Sequence, residues 1–390
     1  MGCSGEDSTS LSGEGLEFEQ EIVEAGGLLS AAGSLLAIMN PTDRISLFEQ
    51  INGAWNDSGF VSGPGDGNVH ILATNGEDLL VGRIEPDGEA SVEFMERRGL
   101  SWVSVFEVTS YGIRAGALDG NRAVLVGDSH RSEPDGPPVR GLARVFEREG
   151  GAWREVGAAV TAPDLEESLT PFGEVGGVAV GGDIIIVGDE PREQAFVFEY
   201  VDDPLAPRER EWRQTAVLEA PLALQGARFG HAVAVSEDFI AVSAYSRFTP
   251  GGVFVFERGG PTGWEGDALV EASNADIVEL GEAEAQSFGA SIALHDGLLL
   301  VGAPEENSSA QGVNDPLLGG IDLRPRSSRG AVYLFERVQG DLGPTHFVWN
   351  QRNHVKVPGE STFGRHVILD EERIWVVSES KTHVWRYESP

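Results

Sequence analysis

Cysteine is almost missing from this 390-residue chain. Cys3 stands alone, so no intrachain disulfide can hold the fold together. Lysine occurs only at Lys356 and Lys381, and methionine only 3 times. The Ala-, Leu-, Lys- and Glu-rich periodic stretches that mark long helices are absent. No apolar run approaches the ~20 residues that cross a bilayer as a helix. Basic charge is scarce too: 28 Lys and Arg face 63 Asp and Glu, a net charge of −35. Nucleic acid and anionic membrane would both repel such a chain, and we expect neither as a partner.

What is present is punctuation. The chain has 51 glycines and 20 prolines, set between short apolar runs, which points to an all-β protein. Phe229 to Ala272 shows the plan. HAVAV, FIAVSA, GVFVFE and ALVEA are strand-length runs separated by Ser236-Glu237-Asp238, Thr249-Pro250-Gly251-Gly252 and Gly259-Gly260-Pro261-Thr262-Gly263. Four strands joined by short turns make one antiparallel sheet, and one such sheet cannot bury both its faces alone.

The plan repeats. An aromatic (once a methionine) followed by Glu recurs at Phe48-Glu49, Met95-Glu96, Phe146-Glu147, Phe198-Glu199, Phe256-Glu257, Phe335-Glu336 and Tyr387-Glu388. A turn and a tryptophan follow in Trp55, Trp102, Trp153, Trp212 and Trp264; the sixth repeat offers Phe347 and Trp349. We expect each recurrent Glu to cap a strand or face solvent. Before each mark lies an apolar hairpin such as GVAVGGDIIIVGD from Gly177, whose second run lacks clean alternation, as a strand buried on both faces would. Later repeats open with Phe172-Gly173, Phe229-Gly230, Phe288-Gly289 and Phe363-Gly364, and Tyr111-Gly112 is a variant. Units of ~50 residues built this way predict a β-propeller of seven four-stranded antiparallel blades.

The seventh repeat stops after its third strand, HVWRYE. The early stretch Leu16–Ala25 ends Val23-Glu24-Ala25, like Leu218-Glu219-Ala220 and Val270-Glu271-Ala272 in internal fourth strands. Residues 16–25 are therefore expected to close the last blade, with Phe18 in the tryptophan position. Burial of Phe18, Ile22 and Val23 should contribute roughly 1.5–3 kcal/mol each. The predicted domain plan is a flexible tail over 1–15 and one propeller over 16–390.

Phe288-Gly289-Ala290, Val301-Gly302-Ala303-Pro304 and Gly330-Ala331-Val332-Tyr333-Leu334-Phe335 together resemble the FG-GAP repeat. That resemblance implies the seven-bladed propeller of integrin alpha chains and of many bacterial extracellular proteins. It covers residues 16 to 390, strongest in repeats four to six. Such repeats often bind calcium in a D-x-D-x-D-G-like loop between the first two strands. Here the equivalent turns, such as Asn75-Gly76-Glu77-Asp78 and His295-Asp296-Gly297, are too short to surround calcium, so no metal is expected in them.

Motifs for catalysis, phosphate binding or paired-cysteine metal binding are absent, and the 8 histidines are scattered. No catalytic residue and no cofactor are predicted. Two long connections between second and third strands, Ser129–Gly141 and Glu305–Gly330, should emerge on one face of the disc. They supply the candidate binding residues Arg131, Asp135, Asp315, Asp322, Arg324 and Arg326. Gly2-Cys3-Ser4 resembles the mature start of a bacterial lipoprotein and makes Cys3 a candidate lipidation site. Glu6 breaks the myristoylation pattern. The expected function is a monomeric, non-catalytic, extracytoplasmic binding or adhesion module, lipid-anchored or secreted, recognising a protein or glycan. The alternatives are a polymer-acting enzyme with its site at the central channel, and a structural scaffold of the cell envelope.

Overall fold

A computed structural model describes residues 12–388 apart from 14, 24–27, 40–43, 62–67, 85–88, 100, 112, 128–141, 157–159, 162–176, 203–209, 221–225, 246–250, 260–262, 274–286, 316–328 and 342–345. Within them the chain forms seven antiparallel sheets, the blades of a propeller, with one short 3-10 turn at Glu190–Arg192. Among the described residues no helix is long and apolar enough to cross a membrane. Blade five runs Phe229–Val235, Phe239–Ala244, Gly252–Arg258 and Trp264–Val270, ordered from the inner strand outward.

The apolar side chains collect into seven clusters, one between each pair of neighbouring blades. This explains why the second strands show no polar alternation. In blade six, Leu298 and Leu300 face blade seven, whereas Leu299, Val301 and Ala303 face blade five. Both faces of the strand are core, and every residue from Leu298 to Ala303 is buried.

The ring closes as the sequence predicts. Leu16–Ile22 pairs with Thr382–Tyr387 and becomes the outer strand of blade seven. Ile22, Trp375 and Val384 pack with Leu36, Ile38 and Trp55 of blade one. Gln20 fastens the seam. Its carboxamide donates to the Trp55 carbonyl (3.0 Å) and accepts from the Trp55 amide (2.9 Å). Two details differ from expectation. Val23 lies beyond the strand and is 77% exposed, and Leu16 supplies the buried contact instead. Leu16, opposite Tyr387, takes the register that Trp264 holds opposite Arg258, and Phe18 stands two residues further along, opposite Trp385.

Register also settles the sixth repeat. Trp349 pairs with Arg337, as Trp264 pairs with Arg258, so Trp349 and not Phe347 is the equivalent residue. The long connection of blade six is partly ordered: Gly312–Val313 adds a fifth strand against Val355–Lys356. Buried Lys356 donates to Glu306 Oε2 (2.7 Å) and to the Glu306 and Ser308 carbonyls, anchoring that segment.

The Phe-Gly pairs are steric requirements. Phe229, Phe288 and Phe363 are fully buried. Gly230 has φ +92°, and a Cβ there would stand 2.5 Å from the Gln194 carbonyl oxygen of the preceding blade. Only glycine permits both the left-handed backbone and that approach. The Phe172-Gly173 pair lies outside the described residues, as does Gly112.

Candidate functional site

In four of its seven copies the recurrent Glu does more than cap a strand or face solvent. In four places it reaches to the next blade and meets an arginine on that blade's third strand: Glu49 with Arg97, Glu96 with Arg148 (2.7 Å), Glu199 with Arg258 (2.6 Å) and Glu257 with Arg337 (2.8 Å). Each of these arginines directly follows its own blade's recurrent Glu, so Glu-Arg dipeptides interlock blade to blade. The signal was present in Glu96-Arg97, Glu147-Arg148, Glu257-Arg258 and Glu336-Arg337.

Blade four breaks this rule. Tyr200 stands where the arginine should be. Glu147 of blade three therefore pairs with Arg122 of its own blade (2.8 Å). The Arg122 guanidinium lies 4.8 Å from the Trp212 ring centre and 5.5 Å from that of Tyr200. Arg210 covers Tyr200 at 4.5 Å. Asp183, in the turn between the first two strands of blade four, accepts from Arg210 (2.7 Å) and Arg122 (3.1 Å). Burial opposes ionisation of Asp183, but the bonds from Arg210 and Arg122 outweigh it and hold its carboxyl below the ordinary range.

Around this cluster opens a cleft of about 1390 Å³, walled by blades three to six. Tyr200, Arg210, Arg213 and Arg258 line its flank; Val180, Val235 and Leu294, on inner strands, carry it to the mouth of the central channel. The cleft offers guanidinium donors held over aromatic faces, and carboxylates already engaged by arginine. This chemistry suits recognition of carbonyl, carboxylate or hydroxyl groups. It does not suit general acid catalysis by Asp183, which is held ionised.

The cleft sits among the turns between first and second strands. The two long connections leave the opposite ends of the second strands, and therefore the opposite face. Of their candidate residues, Asp315 is described: its Oδ2 accepts from the Gln311 amide (2.8 Å). Arg131, Asp135, Asp322, Arg324 and Arg326 lie outside the described residues, as does Cys3. On that same face His231 stacks on Tyr245 (4.5 Å) and bonds to Glu190 (2.8 Å).

The hairpin turns expected to lack calcium use their oxygens internally. Asn75 Oδ1 accepts from the Glu77 and Asp78 amides, and Asp78 pairs with Arg148. Asp370 Oδ1 likewise accepts from the Glu372 and Arg373 amides.

Fold and repeat chemistry together define a seven-bladed propeller with a cleft at one channel mouth. A family model described as FG-GAP repeat matches residues 212–256, from the outer strand of blade four through the third strand of blade five. The match and the seven-bladed ring together support an FG-GAP type of β-propeller. No curated protein matches the chain in sequence. Among solved structures it is similar to the Cps50 (Swd1) β-propeller domain of Myceliophteria thermophila, with 10% identity over 95% of this chain and 99% of that one, at a TM-score of 0.55. A protein from Lactobacillus plantarum gives 14% identity over 92% and 89%, at 0.51. BamB from Moraxella catarrhalis gives 13% over 93% and 85%, at 0.46.

Proposed function

We propose that the chain is a non-catalytic binding module that recognises a protein ligand at the cleft between blades three and six. The supporting observation is the break in the Glu-Arg interlock at Tyr200. There the repeat gives up an inter-blade tie, and Tyr200, with Arg210 and Arg122 held over aromatic rings by their carboxylate partners, lines an open cavity instead. Arginine and tyrosine on a firm frame are the residues that carry binding energy at protein interfaces. The engaged acids beside them favour a ligand surface with both signs of charge over a simple anion.

A second contact surface is the opposite face, where Arg131, Asp135, Asp315, Asp322, Arg324 and Arg326 are the candidates. The observation favouring it is the folded base of the blade-six connection, held by the buried Lys356–Glu306 pair. An extracytoplasmic location with lipid attachment at Cys3, and residues 1–15 as tether, completes this reading.

Peptide and glycan arrays probed with the chain and with a Tyr200→Ala, Arg210→Ala variant test it. A peptide ligand should lose at least about tenfold in affinity in the variant, in line with interface hot spots. It should be unaffected by removal of residues 316–328. Arrays in which no ligand distinguishes variant from parent overturn the cleft as the site.

A further inference from the structure

Blade seven contains a group of side chains that the binding reading does not use. Glu21 lies on the closing strand Leu16–Ile22, and His383 stands directly opposite it on Thr382–Tyr387. Glu360 approaches both from the turn after Val357. One ligand atom from each of Glu21, Glu360 and His383 lies within 4.8 Å of the other two.

His383 is the informative member. It is fully buried, and neither ring nitrogen has a hydrogen-bond partner. Its ring is fixed by stacking on Trp385 (5.8 Å between centres) and by the edge of Phe363 (5.4 Å). Buried polar groups are nearly always satisfied, so an orphaned imidazole aimed at two carboxylates marks a position where something binds. Glu360 is oriented in turn: Ser378 Oγ (2.6 Å) and Ser380 Oγ (3.2 Å) both donate to its Oε2. Outer partners of this kind hold metal-ligating carboxylates in place.

Lys381 bridges the two acids, 3.1 Å from Glu21 and 3.0 Å from Glu360. Its ammonium compensates the carboxylates, but neither ring nitrogen of His383 makes a bond to it. The Lys381 side chain is 29% exposed on a flexible stem and has room to swing into solvent.

We propose that Glu21, Glu360 and His383 form a binding site for a divalent transition-metal ion of the zinc type, which displaces Lys381 and clamps the closing strand to blade seven. One imidazole nitrogen with two carboxylate oxygens suits zinc or cobalt; calcium and magnesium take oxygen alone. Metal–ligand bonds of about 2.0–2.2 Å require the three atoms to draw in only by roughly 1 Å. The ion would join the two ends of the propeller in a chain that has no disulfide, and metal supply would then control ring closure.

The full chain, stripped with chelator and titrated with Zn²⁺ by calorimetry, tests the site. One Zn²⁺ should bind per chain, and at about 100 times Kd the thermal midpoint should rise by roughly 3 °C. Ca²⁺ and Mg²⁺ should leave the midpoint unchanged. Glu21→Gln changes an exposed residue and should fold normally, yet weaken Zn²⁺ binding at least tenfold. Lys381→Met should tighten it. Co²⁺ should give the visible absorption of a low-coordinate nitrogen and oxygen site, lost in Glu21→Gln. Failure of the parent chain to bind Zn²⁺ overturns the proposal. Binding that is unchanged in both Glu21→Gln and Glu360→Gln places the ion elsewhere on this acidic surface and equally overturns it. Neither result bears on the cleft, whose ligand is tested through Tyr200 and Arg210.

Discussion

Arg337 of blade six holds both carboxylate oxygens of Glu257 of blade five, each at 2.8 Å. The same guanidinium lies 3.9 Å from the Phe347 ring centre and 4.9 Å from that of Phe239, so one side chain touches both blades. Ties of this type form where the recurrent Glu of one blade meets an arginine that directly follows the recurrent Glu of the next. Between blades three and four Tyr200 interrupts them, and there the cleft opens.

In the tie between Glu199 and Arg258 (2.6 Å) both side chains are largely sheltered. Glu199→Gln and Arg258→Met should each destabilise the fold. A double-mutant cycle should return a coupling of about 1 kcal/mol, toward the upper end for exposed pairs. Chemical denaturation in low salt and in 1 M salt checks this. The coupling should shrink at the higher ionic strength, where the Debye length falls to about 3 Å.

Closure of the ring rests on few side chains. Leu16→Ala and Ile22→Ala should each cost about 2–4 kcal/mol, since both are buried in different inter-blade clusters. Val23→Ser should lie within about 0.5 kcal/mol of the parent, because Val23 is exposed. Removal of residues 16–22 should lower the thermal midpoint markedly. An unchanged midpoint in that deletion would show that the seam does not carry stability.

Acid should loosen blade six. His354 is buried against Tyr333 without a hydrogen bond, and burial is the main cause that drives its pKa down from 6.5 to about 4. The Lys356 ammonium adds to that depression, while Glu306 and Asp315 oppose it. The unfolded chain thus binds a proton between pH 6.5 and 4 that the folded chain refuses. The stability this neutral imidazole preserves is complete above pH 6.5 and is lost as pH falls toward 4, on the order of 3 kcal/mol in all. Denaturation curves across that window should show a slope that flattens by up to one proton in His354→Asn.

The sequence alone determined the blade number, the strand order and the closing strand. These follow from local signals: turn residues at regular spacing, and two-sided apolar strands that have no other means of burying both faces. It also determined that Phe-Gly pairs open the later blades, since only glycine tolerates the backbone approach at Gly230. It did not place Val23, because a chain that leaves its sheet is set by where the last ladder bond falls, one residue past Ile22. Nor did it show the purpose of the recurrent glutamates. Glu199 and Arg258 are 59 residues apart, and only the packing of two blades brings them to 2.6 Å. The cleft at Tyr200 and the imidazole of His383 between Glu21 and Glu360 are likewise products of the closed ring. Each joins residues from different blades or from the two ends of the chain, and distance along a sequence carries no record of which distant side chains a propeller brings face to face.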